Sequence, residues 1–244
     1  MKPLSHTSSL TTSVGAPWEI NRLSIPVSPG SNRTRVSDLY TKLGGQVGYT
    51  TVFALSPDHG IGYSILIAGV GTAPTIARVL LRDAVGETFI PAAEAAAFEN
   101  ARVKYAGTFA DPDNELSNLT LTVDQDKPGL GLASLFVDGV DWSGNITGNF
   151  QPPSDRFSYR LYPTGGQYTS ASNGALVKQY AAVYSLAAGA PRSYVEGGKG
   201  LFDDGCISWE EVGFYNTTQF DLEVVDGKLM AVRMFAAQVT MTRV

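Results

Sequence analysis

The sequence predicts an α+β chain in two parts, an N-terminal portion over residues 1–98 and an antiparallel β-barrel or sandwich over residues 99–244. Two observations predict it. Hydrophobic periodicity switches from about 3.6 residues to 2 just after Ala101, where turn signals begin to recur. The chain also carries 26 glycines and 13 prolines in 244 residues, with 43% hydrophobic and 17% charged residues. That composition fits a packed core cut by many turns and excludes global disorder.

Residues 1–37 hold little regular periodicity. Ser8 to Ser13 is Ser/Thr-rich, Trp18 is a single aromatic anchor, and Pro26 to Ser31 reads as a turn. An extended, ordered segment is expected there. Tyr49 to Leu55 is rich in β-branched and aromatic residues and reads as a strand. Ser56-Pro57-Asp58-His59-Gly60 supplies turn residues. Ile61 to Ala68 is nearly continuously apolar after Tyr63, as a strand covered on both faces would be. Thr72-Ala73-Pro74 opens a helix in which Ile76, Val79, Leu80 and Ala84 share helical spacing. Pro91 is expected to interrupt it, with helix resuming over Ala92 to Asn100.

Beyond Ala101 the chain reads as short strands. They are Val103–Ala110, Leu116–Val123, Leu130–Val137, Phe157–Tyr162, Gln179–Leu186, Phe214–Val225 and Leu229–Val244. The pairs Asp138-Gly139 and Asp226-Gly227 mark tight hairpins, because Asp-Gly accepts the positive φ that such turns need. Seven or eight antiparallel strands in this length suggest a barrel or sandwich.

The net charge of −5 gives no case for nucleic acid or an anionic membrane as partner. No apolar run reaches the roughly 18 residues needed to cross a bilayer. Four Asn-x-Ser/Thr sequons, at Asn32, Asn118, Asn145 and Asn216, suggest glycosylation and a secretory history. The N-terminus lacks the apolar block of a signal peptide. Together these predict an extracellular full-length ancestor whose upstream segment is missing here. Cys206, the sole cysteine, is a buried thiol or has lost its disulfide partner. One cysteine and two distant histidines cannot hold a structural zinc. No cofactor or metal is expected.

Taken alone, Lys42 is an ordinary solvated lysine and Gly44, Gly45 and Gly48 are a loop. Neither His6 nor His59 lies in a motif that would make it a base. Asp203-Asp204 and Glu210-Glu211 fit no calcium loop and read as a solvated acidic face. The aromatics Phe136, Trp142, Phe157, Tyr159 and Tyr162 belong to a core or line a pocket.

The order of several short motifs is more telling. Tyr40-Thr41-Lys42-Leu43-Gly44-Gly45, Gly48-Tyr49-Thr50-Thr51, Ser56-Pro57-Asp58-His59-Gly60-Ile61-Gly62 and Ile65-Leu66-Ile67-Ala68-Gly69 follow one another. Together they resemble the last motif and following strands of class C serine β-lactamases and penicillin-binding proteins. More closely, the chain is similar to fungal secreted β-lactamase-like proteins. In those, a segment like Ser8 to Ile20 precedes the lysine and a β-rich domain follows. That domain's features recur at Ala106-Gly107-Thr108-Phe109, Pro128-Gly129-Leu130-Gly131, Arg160 to Gly165 and Gly205 to Trp209.

The resemblance implies a transpeptidase-like portion over 1–98 and a lipocalin-like C-terminal domain over 99–244. It implies that Lys42 and Gly44 sit on an active-site edge strand, that Lys42 favours a substrate carboxylate, and that the Gly45 N–H donates to an oxyanion. It implies a small-molecule acyl substrate for the full-length protein. Two departures matter. Leu43 stands where the family has a hydroxyl residue, and the sequence contains neither Ser-x-x-Lys nor Tyr-x-Asn. The expected reading is a fragment of a serine hydrolase that is inactive alone. A ligand-binding barrel and a non-catalytic pseudoenzyme are the alternatives.

Overall fold

The computed structural model of the chain describes residues 3–146, 157–186 and 218–244. They divide into two compact units. One holds Met1–Glu99 with Gln125–Pro128, and the other holds Asn100–Asp124 with Gly129–Val244. Ser28 ties the short excursion to the first unit, donating from Oγ to the Gln125 carbonyl at 2.5 Å.

The first unit is a six-stranded antiparallel meander. Its strands are β1 (Ser5–His6), β2 (Thr12–Val14), β3 (Glu19–Pro26), β4 (Thr34–Gln46), β5 (Tyr49–Ser56) and β6 (Ile61–Ala68), in that order across the sheet. Alternation gives the sheet two faces. Ser37, Leu39 and Thr41 on β4 and Thr50, Val52, Ala54 and Ser56 on β5 are buried on one of them. Ile25, Leu39 and Ala54 there share a core with Ile90 of α1 (Ala73–Lys104), joined by Leu23, Ile61 and Tyr63. The opposite face is open, with Val36, Tyr49, Phe53 and Leu66 exposed.

The second unit is a closed barrel. Its strands are β7 (Gly107–Asp111), β8 (Asn114–Thr122), β9 (Leu130–Val137), β11 (Phe157–Thr169), β12 (Leu176–Leu186), β13 (Gln219–Val225), β14 (Lys228–Met234) and β15 (Val239–Arg243). Each pairs antiparallel with the next, and β15 returns to β7. The short β10 (Val140–Asp141) folds back on β9, and α2 (Ser143–Ile146) follows it. Phe109, Leu119, Leu121, Leu135, Leu161, Phe220, Leu222, Leu229 and Met241 fill the interior, each at most 1% exposed. Arg243 lies 4.8 Å over the Phe109 ring and donates to the carbonyls of Leu229, Ala106 and Lys104. It thereby satisfies carbonyls left open where α1 ends. Both Asp-Gly pairs form two-residue hairpin loops with positive φ at each position, 53° and 79° at Asp138-Gly139 and 50° and 76° at Asp226-Gly227.

The expected α+β, transpeptidase-like architecture is overturned. The described residues form fifteen strands and two helices, one of them only four residues long. The difference arises N-terminal to β5: residues up to 37 read as an extended crossing segment, and a strand at Lys42 and Gly44 comes from the resemblance alone, whereas Ser5 to Gln46 contains four strands. Glu19–Pro26 carries polar and apolar side chains on both faces, Glu19 and Asn21 with Leu23 and Ile25 on one and Ile20 with Arg22 and Ser24 on the other, so no clean alternation appears. Pro91 does not break the helix, which runs as one element from Ala73 to Lys104. Ile90 and Glu94, buried on either side of Pro91, hold both halves. That offsets the hydrogen bond the proline removes. Although 32 residues long, α1 is not apolar enough to cross a membrane. The predicted strand over Leu229–Val244 is two strands, and its hairpin partner begins at Gln219. Phe214, Cys206 with its Gly205–Trp209 motif, and the two acidic pairs lie outside the described residues.

Candidate functional site

Two polar constellations occupy the first unit, one on each face of the sheet. The first surrounds Lys42. The register of β4 with β3 ends at Thr41 opposite Glu19, whereas its register with β5 continues from Lys42–Phe53 to Gln46–Tyr49. From Lys42 to Gln46 the strand is therefore paired on one side only among the described residues. Alternate backbone N–H and C=O groups of such a stretch face outward, available to another chain or a ligand. Gly44 pairs with Thr51 and Gly45 with Thr50. A Cβ built at Gly44 would meet Thr51 Oγ1 at 2.7 Å, so a larger residue there would require the Thr51 side chain to move.

Lys42 lies on the open face, directly across from Phe53. Its Nζ is 2.5 Å from Glu19 Oε1 and donates to its neighbour's carbonyl at Leu43 at 3.1 Å. Trp18 stacks on Phe53 with centroids 6.2 Å apart and meets Tyr40 edge-on at 6.3 Å. Tyr40 is buried there, and burial, with lesser contributions from Asp38 and Asp58, raises its phenol pKa. Beside it lies a hollow of about 260 Å³ lined by Arg22, Val36, Asp38, Tyr40, Pro57 and Asp58. Arg22 and Asp38 pair across it at 3.3 Å. Leu43 pairs with Val52 and lies on the opposite face from Lys42.

The second constellation lies between the sheet and α1, with the His59 side chain buried and Asp58 at its exposed end. His59 Nδ1 is 2.6 Å from Ser56 Oγ, and its Nε2 is 2.7 Å from Glu94 Oε2. Arg35 grips the same carboxylate with two bonds of 2.9 and 2.7 Å, and reaches Asp58 at 2.8 Å. Ser37 Oγ donates to Asp58 at 2.9 Å. Burial alone would raise the Glu94 pKa, but the hydrogen bonds from Arg35 and His59 outweigh it and hold the carboxyl below its ordinary range. The bonds from Arg35 to Glu94 and Asp58 raise the Arg35 guanidinium further.

By distance, Ser56, His59 and Glu94 match a nucleophile–base–acid relay. Their burial argues otherwise. Ser56 is 2% exposed and points into the helix-covered face, so no acyl group reaches its Oγ. The cluster ties the β5–β6 turn and β4 to α1.

The sequence-derived residues scatter. Lys42, Gly44 and Gly45 lie together on the unpaired stretch of β4. Asn32 is exposed in the β3–β4 turn, and Asn145 is exposed in α2. Asn118 is half-buried in β8, paired with Ala110 and Phe136. Asn216 lies outside the described residues. Of the aromatics proposed for a pocket, Tyr159 and Trp142 pack with the barrel core, Tyr162 is half-buried and Phe136 is 36% exposed. Glu19, on the strand before that of Lys42, and the Arg35–His59–Glu94 set were not identified from sequence. Strand packing brings Glu19 to Lys42, and the packing of α1 on the sheet brings Glu94 to Arg35 and His59; no local motif encodes either.

Residues 97–244 match the family described as "Beta-lactamase-like-like, C-terminal domain". The chain is 31% identical over 196 residues to a "Beta-lactamase-like protein" of Arthroderma benhamiae, covering 73% of this chain and 31% of that protein. It is 30% identical over 131 residues to the "Probable hydrolase M10" of Phoma sp., and 30% identical over 128 residues to the "Probable hydrolase clz13" of Cochliobolus lunatus. Each of those matches covers 52% of this chain and 20% of the relative. The chain thus spans a third or less of the length of these fungal relatives. No solved structure matches it.

Proposed function

Because the chain belongs to the beta-lactamase-like family through its C-terminal domain, we propose that it is the non-nucleophilic part of a serine acyl hydrolase. In this reading the open edge of β4 lines an acyl-transfer site. Lys42 Nζ polarises or holds the substrate, and the Gly45 N–H supplies one oxyanion donor. Gly44 admits the acyl group close to the backbone. Serine acyl transfer needs no metal or cofactor. The 244 residues contain no Ser-x-x-Lys and no Tyr-x-Asn. Alone, therefore, the chain binds acyl groups without turning them over. Secretion fits the exposed sequons at Asn32 and Asn145, and we place the active protein outside the cell.

The observation that carries this reading is the one-sided stretch Lys42–Gln46, with a lysine and two glycines on an otherwise paired strand. The hydrolase names of the relatives are consistent with it. A ligand-binding barrel has less support, since large apolar side chains occupy the interior. The test is acyl labelling with a fluorophosphonate and a β-lactam probe, read by intact mass. The 26.0 kDa chain should stay unlabelled, and the protein isolated from its native source should label at a greater mass. There, Lys42→Met should lower kcat/KM by roughly a hundredfold, the scale of losing one transition-state contact. Labelling of the chain by itself, or an unlabelled native protein, would overturn the proposal.

A further inference from the structure

We infer that the Lys42 site selects uncharged acyl groups and that Glu19 is the residue that sets this preference, an inference that rests on the site assignment above. The resemblance to β-lactamases points to a substrate carboxylate at this lysine. The geometry points the other way. Glu19 Oε1 already sits 2.5 Å from Lys42 Nζ, and the Leu43 carbonyl takes a second N–H. One donor is left, enough for an ester or amide carbonyl.

An incoming carboxylate must either displace Glu19 or lie beside it, and like charges at contact distance repel. The other cation of this face is matched too, Arg22 by Asp38. No unmatched positive charge remains among the described residues of the face to attract an anion. What the face does offer is apolar. Trp18 and Phe53 stack beside Lys42, and Phe53 is 43% exposed across the strand from it. An aryl or alkyl body fits against that pair with its carbonyl turned to the lysine. The substrate class is a neutral ester with an apolar acyl chain.

The pair is partly solvated, its side chains 46% and 37% exposed, so its displacement is costly enough to bias binding and too cheap to forbid it. The expected discrimination is accordingly modest, about fivefold.

Titrating the 244-residue chain with methyl phenylacetate and with phenylacetate at pH 7 and equal ionic strength tests this, with the Trp18 indole N–H followed by NMR. The ester should shift that signal at about one fifth of the concentration the carboxylate needs. Glu19→Gln should improve phenylacetate binding about fivefold and leave the ester within twofold. A purely structural role for Glu19 would change both ligands alike. Preference for phenylacetate in the unsubstituted chain, or equal changes for both ligands in Glu19→Gln, would overturn the inference and leave the site assignment standing. If neither ligand moves the Trp18 signal, the site assignment itself falls, and the inference with it.

Discussion

In the barrel, β8 pairs with β9 and β15 with β7, so each of the eight strands has a neighbour on both sides. In the six-stranded sheet, β6 has one neighbour among the described residues and β4 loses one from Lys42 onward. The two units bury side chains just as differently. Among the described residues, the barrel core gathers seventeen buried apolar side chains and the sheet's core gathers four. Where the barrel relies on apolar filling, the sheet adds a partly buried charge network of Arg35, His59 and Glu94 that reaches the exposed Asp58. Closure removes edges, and with them the places where backbone can meet a ligand. The unit that keeps an open edge is the one that carries the candidate site.

The largest effects should separate the units. Phe220 is fully buried in the barrel, and Phe220→Ala should cost about 3–5 kcal/mol. Hydrogen exchange read amide by amide should show barrel protection falling while β3, β4 and β5 change little. In the unsubstituted chain, barrel amides such as those of Leu119 and Leu222 should exchange more slowly than those of β6. Uniform protection across both units would remove the contrast.

Next in size is the network that supplements the small sheet core. Glu94→Ala strands Arg35 and His59 without their shared carboxylate. Breaking a buried pair in this way costs about 3–5 kcal/mol. Arg35 and Glu94 keep side-chain exposures of 21% and 12%, which lowers the expected loss to about 2–3 kcal/mol. The pH dependence follows from the same contacts. The folded state holds the Glu94 carboxyl below its ordinary value of 4.5. Its stabilisation is therefore complete above that value and is lost as pH falls through the lower, folded one. Exchange of β4 and β5 amides should accelerate below pH 4.5, and Glu94→Gln should flatten that dependence. An acid response confined to the barrel would place the controlling carboxylate elsewhere.

This contrast also explains what the sequence disclosed. Barrel strands such as Leu116–Val123 were legible because a closed barrel alternates a filled interior with solvent, Leu119 and Leu121 pointing inward in alternation with threonines, and the Asp-Gly pairs announced their hairpins. The strands Glu19–Pro26 and Thr34–Gln46 were not, because one sheet face is half-open and polar residues occupy both faces. Pro91 misled because tertiary anchoring at Ile90 and Glu94 outweighs a local penalty. Lys42 was visible only through resemblance. Its partner Glu19 was hidden because cross-strand register has no local signature. Arg35 and Glu94, one on a strand and the other far along α1, are a more distant case of the same kind.

The smallest predicted effect concerns that hidden pair. Glu19 and Lys42 are both partly solvated, and exposed ion pairs contribute roughly 0–1 kcal/mol, less as salt screens them. Glu19→Gln should therefore change the stability of the sheet by no more than ~0.5 kcal/mol in a denaturant melt at about 0.15 M salt. Glu94→Ala, roughly four to six times larger, should bracket it from above in the same assay. A pair that barely affects folding yet fixes a lysine at 2.5 Å on an open strand edge is positioned for recognition rather than for stability. Should Glu19→Gln destabilise the sheet as much as Glu94→Ala does, the Lys42–Glu19 contact is a structural clamp, and the two faces of the sheet do not divide holding from binding.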